Sequence, residues 1–132
     1  MAMHLPAIVT LFALLLFALT IVAVGYARNK YGIHAPATTG NENFERIFRV
    51  QMNTLESLVL FLPALWLFNI YVGPLWAGLL GIVWLIGRID YAVSYARSAR
   101  ARSRGYAIAA FSFTILAVGA AVGVVLRIVA GL

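Results

Sequence analysis

Residues 5–27 read LPAIVTLFALLLFALTIVAVGYA, a run from Leu5 to Ala27 without one charged side chain. A helix that crosses the hydrocarbon core of a bilayer needs about 20 such residues, so the stretch predicts a transmembrane helix. A lipid-facing barrel strand needs only about 10 residues and alternates in polarity, which excludes strands on length. A secretory signal is the competing assignment. Against it, nothing basic precedes the run, the apolar core is too long, and no small-residue cleavage site stands out.

Outward from this run, three further apolar blocks follow at about 47–70, 76–95 and 106–129. The chain therefore predicts an all-α membrane protein: a single up-down four-helix transmembrane bundle over residues 1–132. Pro63 lies inside the second block, where neighbouring groups can satisfy the carbonyl it frees and a kink is tolerated. The short uncharged link Tyr71-Val72-Gly73-Pro74 predicts a tight antiparallel hairpin of helices two and three. The first link, Arg28 to Glu45, is longer, and its Ala35-Pro36-Ala37-Thr38-Thr39-Gly40-Asn41 stretch reads as a turn-rich loop.

Composition agrees and narrows the chemistry. The chain is 64% hydrophobic and 11% charged, against about 45–50% and about 25% in soluble domains. It has no cysteine, which excludes a disulfide framework, a thiolate zinc site and a cysteine nucleophile. His4 and His34 alone make no metal cluster. The net charge of +6 would suggest nucleic acid as partner of a soluble protein. Here nine of the ten Lys and Arg residues lie in or beside loops one and three, Arg127 being the exception. The positive-inside rule puts those loops in the cytoplasm and both termini outside.

Polar residues inside a membrane helix are costly, at roughly 2.5–3.5 kcal/mol for a central charge, and usually face a bundle interior or a ligand path. In helix two, Arg46, Arg49, Asn53 and Glu56 fall within about 80° of one another at the helical repeat, while Gln51 points almost the opposite way. In helix three, Arg88, Tyr91 and Tyr95 share a face, and Arg102 joins it if the helix runs on past the membrane surface. Asp90 lies off that face, and no partner for it is visible in the sequence. Snorkelling arginines and an interfacial aromatic belt account for Arg28, Lys30, Arg97, Arg100 and Arg104. They account poorly for Asn53 and Glu56, two and three turns inside helix two. An interhelical hydrogen bond explains Asn53 alone, and a structural salt bridge is the alternative for Glu56. The two histidines read as loop or interface residues, and Trp66, Trp76 and Trp84 as packing or belt residues. Several arginines beside a carboxylate and an amide suit a small zwitterion with excess carboxylates, because Arg holds carboxylates by a planar fork and Glu can hold an ammonium. A pocket opening at the cytoplasmic surface takes one water-soluble substrate there and leaves the other to arrive through lipid.

These residues carry a resemblance. The segment Phe44-Glu45-Arg46-Ile47-Phe48-Arg49-Val50-Gln51-Met52-Asn53-Thr54-Leu55-Glu56 is similar to the signature of the MAPEG family, the membrane-associated proteins in eicosanoid and glutathione metabolism. Arg88-Ile89-Asp90-Tyr91, followed by Tyr95-Ala96-Arg97-Ser98-Ala99 and Arg102, resembles its second block. With the spacing between them and the Pro-Thr-Thr-Gly-like first loop, the resemblance covers nearly the whole chain. It implies a homotrimer with three glutathione sites, each between neighbouring subunits at the cytosolic end. It implies that Arg49, Asn53, Glu56, Tyr91 and Tyr95 hold the tripeptide, with Arg88 a further site position. Arg28 and Gln51 would reach it from the neighbouring subunit, and Arg102 would activate the thiol. Such chemistry needs no metal. A thiol near pKa 8.5 is mostly protonated at neutral pH, the thiolate is the nucleophile, and a guanidinium is a fixed charge that favours it. Partners implied are glutathione, a lipophilic electrophile or hydroperoxide, membrane lipid and further copies of the chain, with no nucleic acid.

Two departures bear on this. Ser57 stands where the eicosanoid-forming relatives have a tyrosine, and Asp90 where they have an arginine, which puts the lipid substrate in doubt. The activity implied is glutathione transfer, with peroxidase activity a further option. A non-catalytic lipid- or glutathione-binding member is the alternative, but that branch lacks the Arg and Glu of the helix-two signature. A small multidrug exporter would need a carboxylate in the first helix, and this one has none. A bacterial inner membrane suits so compact a chain better than the endoplasmic reticulum, with sites facing the cytoplasm in either case.

Overall fold

The computed structural model describes residues Met1–Leu132. It contains four long helices: α1 (Leu5–Tyr31), α2 (Glu42–Tyr71), α3 (Pro74–Arg97) and α4 (Ser103–Val129). One-turn 3-10 segments at Ala2–His4 and Ala99–Arg102 precede α1 and α4. There are no strands, and all four helices are long and apolar enough to cross a membrane.

Each helix extends past its apolar block because local chemistry, not hydropathy, ends it. α2 begins at Glu42, not near residue 47, because the Asn41 side chain accepts a hydrogen bond from the Phe44 amide at 3.1 Å. Glu42 and Glu45 then lie at the positive end of the helix dipole. α1 runs to Tyr31 with Arg28 and Lys30 in its last turn. It stops at Gly32, whose φ of 67° is the left-handed cap that glycine adopts without a Cβ penalty. Pro74 opens α3, where its missing N–H costs nothing. α2 continues through Pro63 to Tyr71.

The core lies between the helices: Phe61, Leu65 and Phe68 from α2, Trp84 and Leu85 from α3, and Leu116 from α4 are buried together. Val9 and Ala13 of α1 close it. The Phe61 and Trp84 rings stack at 3.9 Å between centroids. A smaller cluster of Val24, Ala27 and Phe44 pins the end of α1 to the start of α2 beneath the first loop. Outward faces carry apolar side chains such as Leu11, Val59, Ile86 and Val122, as lipid requires.

α3 and α4 pack most closely, by means of glycine. A Cβ on Gly105 would come within 2.5 Å of the Gly87 carbonyl oxygen, and one on Gly87 would meet the Ala109 amide at 2.7 Å. Small residues that let backbones approach are the usual membrane solution, since lipid gives no hydrophobic drive for helix association. Higher up, the Ser112 hydroxyl donates to the Leu80 carbonyl at 2.5 Å. At the far end, Arg127 donates to the Ile70 carbonyl at 2.9 Å and lies over the Tyr71 ring, holding α4 to the end of α2.

Candidate functional site

The α3–α4 connection shapes one end of the bundle. α3 ends at Arg97, and Ser98 adopts an extended conformation (φ −159°, ψ 133°). Its hydroxyl accepts the Arg100 amide at 3.3 Å, starting the 3-10 turn that carries Arg102. The helix therefore does not run on to Arg102, as the shared face would need. The chain breaks at Ser98 and returns, and that return sets the Arg102 guanidinium 5.2 Å from the centre of the Tyr95 ring. Arg102 also donates to the Ala99 carbonyl at 3.1 Å.

Between α2, α3 and α4 at this end lies a cavity of about 900 Å³. Arg49, Asn53 and Glu56 line it from α2, and Arg88, Tyr91 and Tyr95 from α3. Arg102 closes it from the turn. Seven of the nine residues singled out in the sequence thus meet in one place. Arg28 and Gln51 do not. Arg28 donates to the Ile33 and Ala37 carbonyls at 3.3 and 2.7 Å and lies over the Phe44 ring, shaping the first loop. Gln51 lies on the side of α2 away from the cavity. Arg46, on the same stripe as Arg49, turns instead to Asn43 and the Ala96 carbonyl.

The cavity wall is ordered from beneath. Arg88 is only 2% exposed. Its Nη2 donates to the Thr54 hydroxyl at 3.0 Å, and its guanidinium lies 4.1 Å from the centre of the Tyr91 ring. Its Nε–H is buried without a partner. Asn53 donates to the Tyr91 hydroxyl oxygen at 2.5 Å, so the Tyr91 proton is left to point to another acceptor. The Tyr91 and Tyr95 rings lie 5.4 Å apart. Arg49 and Glu56 are exposed and make no bond within the chain. Three guanidiniums and one carboxylate therefore face one volume: a net cationic site that still offers one anion.

Some of the lining was not singled out in the sequence. Ser103, Tyr106 and Phe113 come from α4. The Arg88 partner Thr54 sits one residue after Asn53 inside the motif and was passed over. Asp90, whose partner the sequence did not reveal, accepts both arms of the Arg104 fork at 2.6 and 3.2 Å. A second, apolar cavity of about 360 Å³ runs along α2 and α4 past Val59, Pro63 and Ala117. Leu60 and Phe113 line both volumes.

The fold and site define a class: an integral membrane four-helix protein with a cationic, tyrosine-lined cavity at one end. The chain belongs to the MAPEG family, whose model matches residues 5–122. It is 54% identical over 115 residues to an uncharacterized protein of Synechocystis sp., covering 87% of this chain and 84% of the relative. It is 37% identical over 101 residues to microsomal glutathione S-transferase 2 of Bos taurus, covering 76% and 69%. It is 36% identical over 125 residues to leukotriene C4 synthase of Mus musculus, covering 95% and 83%.

Proposed function

We propose that this protein is an integral membrane glutathione transferase that binds glutathione in the cationic cavity and presents its sulfur, as thiolate, to lipophilic electrophiles. The observation that carries this reading is the convergence of Arg49, Glu56, Arg88 and Arg102 on one cavity in a family whose relatives include a microsomal glutathione S-transferase. Glutathione in its thiolate form has two carboxylates, one sulfur anion and one ammonium. Three guanidiniums and one carboxylate complement that set, guanidiniums to anions and Glu56 to the ammonium.

Arg102 is the activating residue in this scheme. It lines the cavity, and its guanidinium acts as a fixed positive charge beside the sulfur. It lowers the thiol pKa from about 8.5 and keeps thiolate ready. The sulfur attacks an electrophilic carbon, an S–C bond forms, and the bond to the leaving group breaks with its electron pair. The thiol proton goes to solvent. Arg49, Asn53, Tyr91 and Tyr95 orient the tripeptide. The adjoining apolar cavity, reached past Leu60 and Phe113, supports a co-substrate that arrives through lipid.

We further infer a homotrimer, in which Arg28 and Gln51 serve a neighbour's site, and an orientation with the cavity at the cytoplasmic face. The placement of both residues outside their own chain's cavity supports the first, and the cationic loops support the second. The relative from Synechocystis sp. favours a bacterial membrane.

The test is ultraviolet difference absorbance in the thiolate band, on detergent-purified protein titrated with glutathione at neutral pH. A saturable signal is expected. Glutathione binding by calorimetry without thiolate would reassign the chain as a binding protein, and no binding would remove glutathione as ligand. Turnover with a chlorinated aromatic electrophile and with a lipid hydroperoxide then separates transfer from peroxidase chemistry.

A further inference from the structure

The ion pair between Asp90 and Arg104 lies outside the cavity and has no part in the chemistry above. Its position is unusual. Asp90 precedes Tyr91, which lines the cavity, and Arg104 follows Arg102 by two residues, so the pair spans the turn that carries the activating arginine. It is a two-armed contact: Arg104 Nη2 to Oδ1 at 2.6 Å and Nε to Oδ2 at 3.2 Å, with the Ser94 hydroxyl on Oδ1 at 3.5 Å. Two parallel bonds fix direction as well as distance. Elsewhere the turn is held lightly. Ser98 caps its start, and Arg97, Ala99, Arg100 and Arg102 are all exposed. Gly105 fixes how near α4 lies to α3, but a glycine contact is no tether for the residues before it.

We propose that Asp90 and Arg104 are positioning residues: their two-armed ion pair clamps the Ser98–Ser103 turn to α3 and so holds Arg102 against the cavity. The inference rests on the proposed function, since it concerns the thiolate that Arg102 sustains. The pair is partly solvated, with side-chain exposures of 22% for Asp90 and 76% for Arg104. It therefore contributes little to global stability, as exposed pairs do. What it changes is the fraction of time Arg102 spends at the site, and that fraction is sensitive to salt.

The test uses the intact protein in detergent with glutathione as probe. In Asp90→Asn and in Arg104→Gln, thiolate absorbance per bound glutathione should fall about two- to fivefold, the scale of an exposed ion pair. Affinity by calorimetry and the thermal unfolding midpoint should stay near wild type. Asp90→Glu should retain most of the signal, and the reversed pair Asp90→Arg with Arg104→Asp should recover more of it than either reversal alone. Raising salt should reduce the wild-type signal more than that of Asp90→Asn. Unchanged thiolate per bound glutathione in both single variants would overturn the clamp, as would equal loss in the reversed pair and its parents. Wild-type protein that binds glutathione without thiolate would instead sink the proposed function. Arg104→Gln, which alters an exposed side chain, keeps the test sound if Asp90→Asn misfolds.

Discussion

Arg102 and Glu56 reach the same cavity from different elements and carry opposite charges, so removing each should damage a different step. Arg102 makes only a backbone bond to Ala99 and a contact with the Tyr95 ring, so little of the fold depends on it. Glu56 makes no bond within the chain. Its charge, placed inside a membrane helix, lacks a structural reason in the subunit and fits a ligand cation instead. Arg102→Ala should lower thiolate absorbance per bound glutathione to about a tenth or less, the loss of one pKa unit of activation, while binding is largely kept. Glu56→Gln should do the reverse: glutathione affinity falls about tenfold or more, the scale of one charged hydrogen bond, and thiolate per bound tripeptide holds. Calorimetry beside the absorbance titration checks both. Loss of affinity in Arg102→Ala would make that residue a binding group, and unaltered affinity in Glu56→Gln would return Glu56 to a structural role. Arg88 differs from both. It is buried, bonded to Thr54 and stacked on Tyr91, so it orders the wall as much as it faces the cavity.

At the scale of the helices, what was legible in the sequence followed from periodicity. Arg49, Asn53 and Glu56 share a stripe by the helical repeat, as do Arg88, Tyr91 and Tyr95, and both stripes do face one cavity. Two features left no periodic trace. One is the break at Ser98, which returns the chain and sets Arg102 beside Tyr95 by a turn, not by continued helix. The other is the partnership of Asp90 with Arg104, which depends on how the two helices cross and so cannot be read along either one. Apolar blocks located the helices but not their ends, because Asn41 and Gly32 set those by hydrogen bonding and backbone conformation. The crossing of α3 and α4 is fixed by Gly87 and Gly105, where an added Cβ would strike backbone and not a side chain that can move aside. Gly105→Ala should therefore force the helices apart, at a cost of about 1–3 kcal/mol as in other overpacked contacts. A lower thermal midpoint in detergent is expected, together with weaker glutathione binding, because Tyr91 backs directly on Gly105. Gly25→Ala is the control, since its Cβ would meet nothing within 4 Å. Equal midpoints for the two variants would mean that α4 tolerates the shift.

At the scale of the whole molecule, the proposed site draws on residues that the single chain does not bring to its cavity. Arg49 and Glu56 line the cavity but stay exposed and without partners in the chain, and Gln51 projects from the other side of the same helix. The proposed ring of identical subunits with head-to-tail contacts would resolve this, since each interface would then join two different faces of the chain. In such a ring Gln51 of one subunit serves the cavity that holds Arg102 of the next. Two defective chains should then complement. Under the proposed function, Gln51→Glu would place a carboxylate against an anionic ligand and Arg102→Ala would remove the activating charge; each alone would give a ring without a sound site. In a random mixture, a site is intact when its cavity comes from the Gln51→Glu chain and its neighbour from the Arg102→Ala chain. For equal amounts that is about one quarter of sites, whatever the ring size, because each site draws on two adjacent chains. Co-expression of the two variants, with activity or thiolate absorbance measured per subunit, should thus recover about a quarter of the wild-type signal. If Gln51 served the cavity of its own chain, every site would carry one lesion or the other, and no mixture would recover anything. Mixing the separately purified variants, assayed before subunits exchange, should show no recovery and so separates complementation from residual activity.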